Sequence, residues 1–134
     1  MRSQSDVSSS AASVVERFLA DVVNGGRSES APDLVASEPL RRRIAAFGAA
    51  FPDLNARIVR IVADDRLVAV HLIADASHSG TFQGALPTGR RWSSSCTAIY
   101  EVEDGRIVDF WLTWDLLDIL EQLGIVRRAA GASA

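Results

Sequence analysis

The side chains in this sequence whose types could do chemistry are few, and each also has a plainer use. His78 stands at the start of a Gly- and Pro-containing stretch. There a histidine can donate a proton or hold a carbonyl, or it can simply pin the following loop. Asp115, with Asp118 three residues on, can be an acid or the N-cap of a short helix, worth roughly 1 kcal/mol. Tyr100 can orient a ligand oxygen or be a satisfied core tyrosine. Cys96 lacks an evident base partner, which favours packing over nucleophilic attack. Trp92 and Trp114 are suited to stack on a planar ligand or to fill the core. Arg41, Arg42 and Arg43 are expected to be a solvated helix face, from which one could reach an acidic ligand or a carrier protein.

Other groups are set aside on spacing. His71 and Asp75 fall on the odd, outer positions of their strand, and two histidines without further ligands make no metal site. The triplet Ser93-Ser94-Ser95 has neither the turn nor the partners of a nucleophile elbow. Gly80 to Gly89 is followed by no helix, so it is not a phosphate loop.

These residues must be positioned by a small set of elements. Val14, Val15, Phe18, Leu19 and Val22 recur at helical spacing. Ser13 and Glu16 have the form of a capping box, and Asn24-Gly25-Gly26 ends the helix. Residues 1–10 are expected to be a disordered lead-in, and 27–36 irregular. A second helix follows Ser37 with Leu40, Ile44, Phe47 and Phe51 on one face and Pro52 as its stop. Strands are expected over 56–63, 67–78, 92–102 and 106–114, with a loop over 79–90. A last helix runs from Leu116 to Leu123, and the tail from Arg127 is expected to be loose.

On strands 67–78, 92–102 and 106–114 the even positions are the apolar ones. Residues opposite one another share a face, so even must pair with even. A three-residue loop, Glu103-Asp104-Gly105, with Gly105 as a G1 bulge, satisfies that parity and sets Cys96 opposite Leu112 and Ser94 opposite Trp114. The resulting inner face carries His78, Trp92, Ser94, Cys96, Leu112 and Trp114 at one end, with helices above, and should enclose a pocket.

At 134 residues, 48% hydrophobic and 23% charged, the chain has the size and composition of one globular α+β domain. A net charge of −3 gives no attraction to nucleic acid or an anionic membrane. All basic residues are arginine, which excludes a lysine Schiff base. One cysteine allows no internal disulfide, and a cytoplasmic setting is the simpler expectation. The polar N-terminus has no signal-peptide h-region, and no apolar run reaches the length of a membrane span.

The run His78-Ser79-Gly80-Thr81-Phe82-Gln83-Gly84, then Pro87-Thr88-Gly89-Arg90, resembles the "H-x-G-x-F-x-G-x-x-PTGR" segment of the SnoaL-like polyketide cyclases. Phe51-Pro52-Asp53, Asp104-Gly105-Arg106-Ile107, Trp111, Asp115 and Gln122-Leu123-Gly124 extend the likeness from about Ala11 to Gly124. The resemblance implies the NTF2-like cone: N-terminal helices packed on a curved, mostly antiparallel sheet around a ligand pocket. It also implies a homodimer, with Ile99 and Trp111 on the outer face. The sequence departs from the family's aldol cyclases, however. Leu112 occupies the position of their acid/base aspartate, and Cys96 and Ala98 replace a Gln and a His. The histidine often found between the first two helices is lacking.

The resemblance and the residues together suggest a tailoring enzyme of polyketide biosynthesis that uses no cofactor. A non-catalytic carrier and an epoxide hydrolase or hydroxylase-like relative are the alternatives. The expected catalytic residues are His78, Asp115 and Tyr100. Phe18, Trp92, Ser94, Cys96, Leu112 and Trp114 are the expected ligand contacts. The expected partners are a small hydrophobic polyketide-like ligand and a second copy of the chain.

Overall fold

A computed structural model describes residues 4–26 and 31–127. Four strands form one antiparallel sheet in the order β1-β2-β3-β4: β1 (Asn55–Ala63), β2 (Leu67–Ser77), β3 (Arg91–Glu103) and β4 (Arg106–Trp114). Alternation sets which side faces the core. Every even position of β3 from Trp92 to Val102 is buried, as is every even position of β2 from Val68 to Ala76. The expected sidedness therefore holds, and the helices lie over that face.

Helix α1 (Gln4–Arg17) begins well before Ser13, so the Ser13–Glu16 pair lies inside the helix and does not start it. Residues 4–10, expected as lead-in, are helical. The helix continues as a π-helical turn over Phe18–Val23, whose widened ladder closes with Asn24 N–H donating to the Leu19 carbonyl at 2.8 Å. Beyond it the Asn24 amide pairs with both backbone groups of Ala56, accepting at 2.6 Å and donating at 2.8 Å. An asparagine side chain thus mimics a peptide group and ties the helix end to the edge strand. Within the expected irregular stretch, Ala31–Leu34 forms a short helix, α2, and residues 27–30 lie outside the described residues. Past Arg127 the expected loose tail also lies outside them.

Helix α3 (Glu38–Ala50) starts as expected at Ser37, whose hydroxyl accepts from Leu40 N–H at 3.3 Å. Its C-terminus receives the segment that follows β2. Ser79 and Gly80 N–H both donate to the Ala50 carbonyl at 3.0 Å. A Cβ on Gly80 would stand 2.1 Å from the Ala49 carbonyl oxygen, so only glycine allows this approach.

The β3–β4 connection corrects the expected register. The turn has two residues, Asp104 and Gly105, with φ of 52° and 75°, the both-positive pattern of a type I′ turn. Such a turn alone would pair even with odd positions. A bulge restores the parity, because Val102 faces Ile107 while Glu101 faces Asp109, leaving Val108 over. Ile107 takes the inward place instead of Val108. Cys96 consequently faces Trp114, and Ala98 faces Leu112; the expected pairing was off by two residues while the face was right.

Helix α4 (Leu116–Gln122) closes the far end of β3. Gln122 repeats the Asn24 device: its amide accepts from Ser93 N–H and donates to the Ser93 carbonyl, both at 2.9 Å. Among the described residues no helix is long and apolar enough to cross a membrane.

Candidate functional site

Between the sheet's inner face and the helices lies an apolar cavity of about 90 Å³. Its floor is strand: Leu72 and Ala74 from β2, Cys96 and Tyr100 from β3, Leu112 and Trp114 from β4. The π-helical turn supplies one wall with Phe18, Leu19 and Val22. Helix α3 supplies the other with Leu40, Ile44 and Phe47, and Arg43 is the only charged lining residue among the described residues. Five of the nine residues expected at the site line this cavity: Phe18, Tyr100, Cys96, Leu112 and Trp114.

Polar chemistry inside it rests on two groups. Tyr100 is 3% exposed, packs edge-on against Phe18 at 5.6 Å, and its hydroxyl has no hydrogen-bond partner among the described residues. Burial holds its phenol well above the ordinary tyrosine range, so it stays protonated and able to donate. The Cys96 thiol is pushed up to about 11, chiefly by burial and against the opposing pull of a Thr113 backbone hydrogen bond and the Arg43 charge. A neutral thiol without a base is a poor nucleophile, in keeping with its reading as packing.

The other four expected residues are placed elsewhere. His78 is fully buried, yet it does not line the cavity. Its Nδ1 accepts from Thr88 N–H at 3.1 Å and lies 3.0 Å from Thr88 Oγ1, which leaves the ring proton on Nε2. His78 N–H also donates to the Arg90 carbonyl. The residue pins the 79–90 loop. Trp92 is buried behind the cavity wall, meeting Trp114 at 5.9 Å and Phe51 at 5.1 Å. Its Nε1 and His78 Nε2 are both buried without a partner. Ser94 is buried and bonds only the neighbouring Ser95 carbonyl, at 3.4 Å. Asp115 is exposed and caps α4, accepting from Asp118 N–H at 3.0 Å. His78 and Asp115 are thus held by backbone partners outside the cavity, and of the expected catalytic trio only Tyr100 reaches it.

Phe47 is among the lining residues that the expected site left out. It stacks on Trp114 at 5.6 Å and 24° and touches Phe82 at 5.7 Å, closing the gap between α3 and the loop. Its place on the apolar face of the second helix was the available signal. Among the described residues no three His, Cys, Asp or Glu side chains gather as a metal site would need.

The sequence matches the family described as SnoaL-like polyketide cyclase over residues 4–123. The chain belongs to the SnoaL-like polyketide cyclase family. No curated protein sequence matches it significantly. Solved structures agree with the assignment. IdmH from Streptomyces antibioticus, provisionally named a polyketide cyclase, is 27% identical with a TM-score of 0.72, covering 85% of this chain and 98% of its own. A protein from Jannaschia sp. CCS1, provisionally named a SnoaL-like polyketide cyclase, has a TM-score of 0.82 at 14% identity, covering 95% and 100%. AclR from Streptomyces galilaeus, provisionally named a hydroxylase, has a TM-score of 0.73 at 24% identity, covering 93% and 100%. The last two establish the fold alone, the NTF2-like arrangement expected from the sequence. Against this SnoaL-like background, Leu112 and Cys96 lie in the cavity wall and Ala98 sits beside them on the same face. Two of the three positions that the resemblance sets against polar residues of the aldol cyclases, Cys96 and Leu112, thus line the cavity, and Ala98 pairs with Leu112 without lining it.

Proposed function

We propose that this protein is a cofactor-independent cyclase or isomerase that folds a hydrophobic, carbonyl-bearing polyketide intermediate. The observation that carries the proposal is Tyr100: a neutral hydroxyl on a buried side chain, without a hydrogen bond among the described residues, in the wall of a cavity whose other described lining is apolar apart from Cys96 and Arg43. A ligand carbonyl placed against it would gain a hydrogen bond strengthened by the low local dielectric and would be polarised toward its enol. Apolar walls would hold the remaining carbons. Pre-organisation of two reacting carbons can lower a barrier by several kcal/mol, up to roughly 7–11 in the best cases. With Leu112 where an acid would stand, orientation contributes most. A homodimer formed through the outer face of the sheet is part of the same proposal.

The second reading is a carrier that holds the ligand without turnover, favoured by a cavity lining that has no carboxylate among the described residues. One experiment separates the two. A freshly generated poly-β-ketone is incubated with the protein at one part in a hundred, and the products are resolved by mass spectrometry. An enzyme shifts the product ratio at that level. A carrier does so only near stoichiometry, and that result would overturn the first reading. Given an epoxide substrate in ¹⁸O-labelled water, formation of a diol carrying one ¹⁸O would instead identify an epoxide hydrolase.

A further inference from the structure

We infer that Arg43 is an anion-recognition residue and that the ligand carries a carboxylate or enolate oxygen at the mouth of the cavity. This rests on reading the cavity as the ligand site. The first argument is size. Pockets that bury a small organic ligand usually occupy about 300–1,000 Å³. The cavity offers about 90 Å³, room for one end of such a molecule. A second, open groove of about 430 Å³ lies between α3 and the 79–90 loop, lined by Pro39, Arg42, Ala46, Thr81, Phe82 and Gln83. Arg43 and Phe47 line both spaces. A ligand too long for the cavity would therefore continue into the groove past this pair.

The second argument is charge. The three consecutive arginines of α3 are not equivalent. Arg41 donates to the Val35 and Ala36 carbonyls, at 2.8 and 3.0 Å, and Arg42 pairs with Glu38 at 2.8 Å. Arg43 has no hydrogen bond or ion pair among the described residues; its guanidinium lies over the Phe110 ring, 5.8 Å from the centroid. Among the described residues neither space has an aspartate or glutamate in its lining, although the chain as a whole carries −3. An uncompensated guanidinium beside apolar walls, steadied by an aromatic face, favours a planar oxyanion that can meet its fork with two hydrogen bonds. Its charge is felt inside, where it draws the Cys96 thiol toward ionisation against the larger effect of burial.

The test uses 2-naphthoate and its neutral isostere 2-naphthamide, titrated calorimetrically into the full chain. Naphthoate should bind about tenfold more tightly, with the margin shrinking as salt is added. Arg43→Gln should bring the two probes to parity while naphthamide binding is unchanged. Arg42→Gln should keep most of the preference. Equal binding of both probes to the unmodified chain, or a preference that survives Arg43→Gln, would overturn the inference and leave the cavity reading standing. Loss of naphthamide binding in Arg43→Gln would make Arg43 a packing residue and overturn the charge role. Binding of neither probe to the unmodified chain would overturn both readings.

Discussion

At the scale of single residues, environment separates groups that look equally promising in a sequence. His78 and Asp115 were conspicuous because chemistry often uses such residues, yet both are held by backbone partners outside the cavity lining, and His78 Nε2 is buried without a partner. Tyr100, expected with them as a catalytic residue, is the one of the three whose side chain lines the cavity. Cys96 offers a pH test of burial there. Its thiol is raised from the ordinary 9.0 to about 11, so folding favours the neutral form. The corresponding stability is fully present below pH 9 and is lost as pH rises toward 11. Urea midpoints measured between pH 9 and 10, below the range where Tyr100 contributes, should fall in the unmodified chain and stay nearly flat in Cys96→Ala. Matching slopes would mean that Cys96 is not buried as described.

At the scale of elements, the family-like motif residues turn out to be fastenings. Gly80 lets the loop rest on the α3 C-terminus, His78 and Thr88 hold its base, and Gln122 hooks α4 onto β3. Gly80→Ala should cost about 1–3 kcal/mol through the clash with the Ala49 carbonyl, lowering the melting temperature by roughly 4 °C per kcal/mol. Gly48→Ala, on α3 where an added Cβ meets nothing within 4 Å, should stabilise by about 0.5–1 kcal/mol. Thermal melts of the two variants check both signs. This level also marks what was legible beforehand. Alternation on β2, β3 and β4 revealed the inner face, and Ser37 and Pro52 bounded α3. The β3–β4 register was not legible, because a three-residue loop and a two-residue turn followed by a bulge at Val108 satisfy the same parity. The π-helical turn was equally hidden. Phe18, Leu19 and Val22 fit an ordinary helical stripe, and the i→i+5 bonding that runs through to Asn24 has no sequence signature.

At the scale of the whole molecule, two surfaces matter. On the outer face of the sheet, Val62, Ala69, Ile99 and Trp111 stand in register across all four strands, with Trp111 51% and Val62 71% exposed. An exposed apolar row of this kind on the outer face fits a second copy of the chain. Light scattering at micromolar concentration should give twice the 14.4 kDa chain mass, and Trp111→Glu should return it to the monomer. A monomer mass for the unmodified chain would remove the dimer. On the proposed function the inner surface binds the ligand, and Tyr100 holds its carbonyl in the cavity. The most direct measurement is a titration of 1-tetralone and of tetralin, which lacks the carbonyl, into the unmodified chain and Tyr100→Phe. Tetralone should lose about five- to tenfold in affinity when the hydroxyl is removed, as a hydrogen bond of about 1–1.4 kcal/mol implies, while tetralin binds both chains alike. Equal tetralone affinity for the two chains would contradict the assignment of Tyr100.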